Sequence, residues 1–385
     1  MARPFVDDFA GDEYYVDASG GSDSNAGTSD AAAWQTINHA ISTGIAAVGY
    51  NTTDGVRLNI KSNADHVITT ALTSGGTLYS QLNGGSAWNA KSAFIIQGYT
   101  SVANDGGVGT IVNNCGGSVF FISDNSSSYW TMADVHMKTG TSSSFLSSRE
   151  RCLFLDCAFT DGSTAGSGNA IYGQTNTRFC RCYFQTDAKI QSSAILDGCV
   201  VVNATGGFLN DIRLTFKNSL YIYHGTGSAA FLGDCFAEGS AFINVGTGTV
   251  STGIRASSSG AVGNYFENIV TPISSAYHNR TAGEIYGNRG YNCTNYAVTF
   301  GSNTGTIHSR IYEDIGTISA SPFSSIDETG FTISDGSELQ YDLNIGTDNG
   351  DGWGGTIKRF AGTGGPISGG GASTPAAAVR HTRLK

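Results

Sequence analysis

Small and large apolar residues recur along this chain in a fixed relation. Val135, Cys157, Cys182, Cys199, Ser219, Ser240 and Asn264 follow one another at spacings of 22, 25, 17, 20, 21 and 24 residues. Two places after each stands a large apolar side chain: Met137, Phe159, Phe184, Val201, Tyr221, Phe242 and Phe266. Three places before each stands another apolar residue: Met132, Phe154, Phe179, Leu196, Phe216, Ala237 and Ala261. Alternate residues of a strand point to opposite faces, so a column at constant offset marks one face of a short strand that returns once per unit. The pattern predicts strands stacked in parallel, with like side chains forming ladders about 4.8 Å apart along one axis.

The connecting stretches agree. "DGSTAGSGN" (161–169) and "ASSSGAVGN" (256–264) are runs of turn formers that can loop out at a corner without breaking the stack. Proline is scarce, 5 against 53 glycines, as a central strand needs every N–H for its neighbours. A period near 22 residues, strand-like composition and Gly/Asn/Ser/Asp corners predict an all-β fold, a right-handed parallel β-helix. The leucine and asparagine frame of a leucine-rich repeat is missing, and a β-sandwich would not keep the columns in register.

A solenoid must cover the open strand edges at its ends. "SDAAAWQTINHAISTGIAAV" (29–48) reads as an N-terminal covering helix, capped by Ser29 or Asp30, with Trp34, Ile37, Ile41, Ile45 and Val48 at helical spacing. The expected organisation is an N-terminal strand, loop and capping helix over 1–50 and coils over 51–315. A closing segment over 316–361 and a flexible Gly/Ala-rich tail over 362–385 follow. That tail carries Arg380, His381, Arg383 and Lys385 on an acidic chain, which suits docking to a partner's acidic groups.

Charge narrows the partners. A net charge of −10 with only 14% charged residues argues against a nucleic-acid surface, and no apolar run reaches the length of a membrane span. The opening "MARPFVDDFAGDEYY" lacks a secretory pattern, so the expected route is the cytosol of a host cell or assembly into a particle. Cys157, Cys182 and Cys199 share a column with Ser219 and Ser240, so the eight cysteines are expected to be small buried thiols rather than disulfides or zinc ligands.

"YYVDASGGSDSNAGTSDAAAWQTINHAI" (14–41) resembles the opening of pectin-lyase-like, right-handed parallel β-helix proteins. The matching elements are the strand Tyr14–Asp17, the loop Gly21–Thr28 and the Thr36–Ile41 helix start. "SPFSSIDETGFTISDGSELQ" (321–340) resembles the closing segment of that superfamily, departing from it at Thr329–Gly330–Phe331 and Ser337–Glu338. The resemblance covers most of the chain and specifies architecture rather than chemistry, because the superfamily holds lyases, hydrolases, phage tailspikes and non-catalytic virion proteins.

A lyase of this fold sets calcium-binding carboxylates beside a Lys or Arg base, and a hydrolase sets Asp and Glu across the sugar bond. Two places before the repeat position stand Asp197, Lys217 and Glu238 on consecutive coils, the best catalytic candidate; the favoured reading is a solvent-facing charge ladder that stabilises the stack. Asp156 and Arg181 form a similar pair. No Asp-Asp dyad occurs in the repeat region. Asp348 and Asp351 in "DNGDG", and Asp23 with Asn25, offer oxygens for calcium, but without the closing glutamate of an EF-hand loop the expected reading is a plain Asx/Gly turn. His136, His224, His278 and His308 share no metal or triad spacing and are expected at the surface or corners, and Trp88, Trp130 and Trp353 outline no sugar groove. The sequons at Asn51, Asn125, Asn203, Asn279 and Asn292 carry no meaning off the secretory route.

Two functions follow from the resemblance. The first is a non-catalytic structural or adhesive module of a bacteriophage virion: a tail-spike, a fibre-like protein or a capsid decoration. It would sit in the virion without a cofactor and contact other virion proteins, its own subunits in a homotrimer, or surface polysaccharide, with no nucleic acid or membrane. The alternative is a polysaccharide lyase or glycoside hydrolase acting on surface glycans, with calcium as its cofactor; a cell-surface location is the alternative to the virion.

Overall fold

The structure, a computed structural model, describes residues 4–49, 54–70, 93–115, 120–122, 130–139, 146–150, 152–161, 169–185, 189–203, 214–255, 260–275, 284–300, 313–321, 323–327 and 330–333. Among them, two long sheets face each other, one of sixteen strands and one of eleven, and every pairing within them is parallel. Successive rungs alternate between the two sheets, so the chain coils as a parallel β-helix. The N-terminal strand Asp12–Val16 is already a rung of the long sheet, pairing with Gly55–Lys61.

The columns of the sequence are the columns of the fold. Phe159 stands beside Met137 and Phe184, Val201 beside Phe184 and Tyr221, and Phe242 beside Tyr221 and Phe266. On the long sheet Phe154 stands between Met132 and Phe179, and Leu196, Phe216, Ala237 and Ala261 follow in register. All of these side chains are buried, and they form one core along the lumen. Rings stack rung on rung: Phe154 on Phe179 at 4.8 Å, Phe159 on Phe184 at 5.0 Å, and Phe242 on Phe266 at 5.3 Å. The stack continues past the repeat read from the sequence, through Asn288 and Ile285.

A single left-handed residue joins the two sheets in each of these coils. The residue before every repeat position has positive φ: Asp134 (54°), Asp156 (52°), Arg181 (53°), Gly198 (66°), Asn218 (45°), Gly239 (55°), Gly263 (61°) and Gly287 (66°). An unbroken strand would put residues three apart on opposite faces. The left-handed residue shifts the phase, so Phe179 and Cys182, for example, both enter the lumen. Glycine adopts this conformation freely and Asn or Asp at small cost; Arg181 does not.

The corner explains why the later repeat residues, Ser219, Ser240, Asn264 and Asn288, are small and polar. The backbone N–H of a repeat residue has turned inward, and the side chain of the next coil's repeat residue accepts it. Cys199 N–H donates to Ser219 Oγ (2.9 Å), Ser219 to Ser240 Oγ (3.1 Å), Ser240 to Asn264 Oδ1 (3.1 Å) and Asn264 to Asn288 Oδ1 (3.0 Å). Cys157, Cys182 and Cys199 thiols instead donate to carbonyls inside the lumen. All eight cysteines are free thiols, five of them buried.

The N-terminal cover differs from expectation in detail. Helical residues run Ile37–His39, Ala40–Gly44 and Ile45–Val48, the middle five π-wound, and the cap is Thr36, whose hydroxyl accepts from His39 N–H. Ser29 instead precedes a separate 3-10 turn, Asp30–Ala32, whose first residue Asp30 is drawn to Lys61. Trp34 stands before the helix, stacks on Tyr14 at 5.6 Å and donates its indole N–H to Asn25 O. Val48 is exposed, and Ile37, Ile41 and Ile45 make the buried face. At the other end the antiparallel strands Phe323–Asp327 and Gly330–Ile333 lie within the expected closing segment.

Candidate functional site

Register places Asp197, Lys217 and Glu238 side by side on three consecutive rungs of the long sheet, as their spacing implies. All three face outward and are about a third to a half exposed. Their partners follow the stack. Lys217 Nζ lies 2.8 Å from Glu238 Oε2 and sits over the Phe236 ring. Asp197 turns to the preceding rung, where Arg178 Nη2 donates to Oδ2 at 3.0 Å, and Asn218 Nδ2 donates to Oδ1 at 3.2 Å. Arg178 was invisible to the column reading because it occupies a different offset.

Asp156 and Arg181 occupy consecutive left-handed corners, which aligns their side chains. Arg181 Nε donates to Oδ1 at 2.8 Å and Nη2 to Oδ2 at 2.6 Å, a bidentate pair. The hydrogen-bonded Asp156 carboxylate raises the guanidinium above its already high ordinary value.

A second charged group, which periodicity cannot reveal, holds the first rungs together. Arg57 is buried on the outer face of the long sheet, donates to Val6 O (2.8 Å) and Glu13, and lies over the Phe9 ring. Lys61 bridges Asp30 (2.7 Å) and Asp17 (3.3 Å), and Tyr99 donates its hydroxyl to Asp30 at 2.6 Å. The Lys61 hydrogen bond lowers the Asp30 carboxyl from its ordinary value. Burial pushes the Asp17 carboxyl up, but donors from Asn63, Gly20 and Ser19 outweigh it and hold Asp17 below the usual carboxylate range.

An open cleft of about 360 Å³ beside the covering helix is lined by Ala18, Gln35, Thr36, Ile37, Asp65 and His66. His66 is buried, its Nε2 lies 2.9 Å from Lys61 O, and burial lowers its pKa from the ordinary imidazole value.

The remaining candidates part company with catalysis or lie elsewhere. Asp23 spends both oxygens on Gln35 N–H, Thr36 N–H and the Thr36 hydroxyl, and Asn25 Nδ2 donates to Ala33 O, so this pair builds a turn rather than a calcium cradle. His136 is no surface residue: it is half-buried, bonded to Thr160 Oγ1 at 2.8 Å, and burial, with Lys138 nearby, lowers its pKa to about 4. His224 is half-buried beside the corner after Leu220–Tyr223. Asn203 is buried and so unsuited to accept a glycan. Among the described residues no three His, Cys, Asp or Glu side chains converge as metal ligands. No helix among them is long and apolar enough to cross a membrane. Asp348, Asp351, Arg380, His381, Arg383, Lys385, His278, His308, Trp88 and Trp353 lie outside the described residues.

No protein-family model matches the chain, and no curated protein matches it. Among solved structures it is similar to the GH136 lacto-N-biosidase from Eubacterium ramulus. The native form aligns at 9% identity and a TM-score of 0.40, covering 79% of this chain and 66% of the enzyme. The selenomethionine derivative aligns at 9% identity and a TM-score of 0.38, covering 80% and 66%. This chain therefore spans just under two thirds of the enzyme's length.

Proposed function

We propose that the chain is a non-catalytic structural or adhesive solenoid, serving as a component of a bacteriophage virion. The carrying observation is that the outward charges pair along the stacking direction: Arg178 with Asp197, Asp156 with Arg181, and Lys217 with Glu238. A general acid or base must exchange a proton with a substrate atom, and a Lys held 2.8 Å from a carboxylate on the next rung is poorly placed for it. Charges in that arrangement hold coil to coil. The virion setting rests on the superfamily resemblance of the opening and closing stretches, which virion and enzyme members share, and on the missing Asp-Asp dyad in the repeat region. Mass spectrometry of purified particles should find the chain in stoichiometric amount; its absence from particles that infect normally would sink the virion role.

One observation favours a second reading, a glycoside hydrolase. Asp197 and Glu238 lie two rungs apart on one outward face, about 10 Å by rung spacing. That is close to the roughly 6.5–9.5 Å separation of an inverting carboxyl pair. Cleavage of a glycan panel separates the two readings.

A further inference from the structure

The eleven-stranded sheet begins with an open edge. Its first strand, Asp65–Ile68, pairs with Gly109–Asn113 on one side and, among the described residues, with no strand on the other. Ile68 turns its carbonyl toward that neighbour and accepts Asn114 N–H at 2.8 Å. Backbone groups alternate along a strand, so the Val67 N–H and C=O face the open side. The long sheet closes its first edge instead: Trp34 bridges to Val16, its N–H donating to Tyr15 O and its carbonyl accepting from Asp17 N–H.

The cleft of about 360 Å³ lies along the open edge, between Asp65–Ile68 and the residues Gln35, Thr36 and Ile37 that lead into the covering helix. Beyond Ile68, Asn38 Nδ2 donates to Thr70 O at 3.0 Å and ties the helix to the end of the strand. One buried acceptor of the lining stands unused. His66 is 3% exposed, and its Nε2 lies 2.9 Å from Lys61 O. A carbonyl oxygen only accepts, so Nε2 carries the hydrogen, and Nδ1 of the neutral ring keeps its lone pair. Nδ1 is buried without a hydrogen-bond partner. Leaving such an acceptor unpaired costs stability that an incoming donor restores.

The other lining groups specify that donor. Asp65 is the carboxylate of the cleft, half exposed, with Lys138 no nearer than 3.7 Å, and the negative charges acting on the His66 ring are Asp17 and Asp65. Thr36 has its hydroxyl committed to Asp23 and to His39 N–H. Ala18, Ile37 and Val67 add apolar surface. The ligand therefore meets three acceptors: Nδ1, the Val67 carbonyl and the Asp65 carboxylate. A hydroxyl brings one hydrogen to them. A metal ion needs convergent ligands, and no three His, Cys, Asp or Glu side chains among the described residues supply them. A primary ammonium brings three hydrogens and a positive charge.

We infer that this cleft binds a primary ammonium group carried on a short apolar chain. The ammonium donates to His66 Nδ1, the Val67 carbonyl and the Asp65 carboxylate, and the chain lies against Ile37 and Val67. The site stands at the first edge of the solenoid, away from the Asp197, Lys217 and Glu238 ladder, and does not depend on the proposed function.

The test follows the His66 ring nitrogens by NMR in the full, nitrogen-labelled chain. In the free protein Nε2 should be protonated and Nδ1 not; a protonated Nδ1 would overturn the inference. Millimolar n-butylammonium should shift Nδ1 saturably, and Asp65→Asn should weaken binding about fivefold, the worth of one exposed ion pair. Tighter binding of Nα-acetyl-lysine amide than of n-butylammonium would support the site and assign it to a protein lysine, and weaker binding would support it and assign it to a free amine. Equal shifts from tetramethylammonium, which lacks an N–H, or from butanol, which lacks the charge, would each sink the inference. So would a response that never saturates, or an unchanged affinity in Asp65→Asn.

Discussion

Among the described residues, Arg181 is the one in a left-handed corner that is neither glycine, asparagine nor aspartate, and replacing it sets two effects against each other. Arg181→Gly removes left-handed strain of about 1–2 kcal/mol. Glycine returns roughly 0.5–1 kcal/mol of that as unfolded-state entropy. The gain is then about 0.5–1 kcal/mol. Against it stands the bidentate pair to Asp156, whose side chain is 14% exposed, with Arg181 at 32%. Breaking a fully buried pair costs about 3–5 kcal/mol. Surface pairs are worth about 1 kcal/mol or less, so a partly exposed, well-aligned pair should contribute about 2–3 kcal/mol. Arg181→Gly should therefore destabilise by about 1–2.5 kcal/mol net. In the double variant Asp156→Gly/Arg181→Gly both corners are relieved and no carboxylate is left behind, so much of the loss should return. Urea unfolding of wild type, both single variants and the double variant gives the coupling energy directly. A coupling below about 0.5 kcal/mol, or a stabilised Arg181→Gly, would show that the pair contributes nothing and that strain decides the corner.

Phe184→Ala should cost about 3–5 kcal/mol in the same assay, since its ring is fully buried between Phe159 and the Val201 rung; a loss under about 1 kcal/mol would mean the column does not carry the core. Acid should weaken the fold through His136. Its folded pKa of about 4 lies below the ordinary 6.5, so between those values the unfolded chain takes up a proton that the folded chain refuses. Stability should fall by about 3 kcal/mol as pH drops from 6.5 to 4, and His136→Gln should flatten that part of the profile; an unchanged profile would remove His136 as the cause.

Architecture was legible because it repeats. Seven units sharing two columns fixed the rung register residue by residue, down to the neighbours of Phe159 and Phe216. The corner was legible in principle, as Asp, Asp, Arg, Gly, Asn, Gly, Gly and Gly before each repeat position, but Arg181 breaks the composition that announces a left-handed residue. The covering helix is legible in its apolar spacing but its cap is not, because Ser29, Asp30 and Thr36 are all competent caps and the Lys61 and Tyr99 contacts that claim Asp30 come from distant strands. Periodicity located the Asp197, Lys217, Glu238 ladder, yet not its meaning. That depended on Arg178, at another offset, and on the geometry of Lys217 over Phe236. Arg57 and Glu13 stand opposite each other in the pairing of Asp12–Val16 with Gly55–Lys61, rungs that precede the first unit of the repeat columns, so the columns do not reach them.

The most direct measurement is product release from a panel of acidic and neutral polysaccharides, with and without calcium. It would compare wild type with Asp197→Asn, Lys217→Ala and Glu238→Gln, each checked to be folded at the assay temperature. If the outward charges serve the stack, the wild type releases neither reducing ends nor unsaturated sugars, and the three variants do not differ from it. Depolymerisation by the wild type that disappears in Lys217→Ala or Glu238→Gln while the fold survives would contradict that, and would make the ladder a catalytic site.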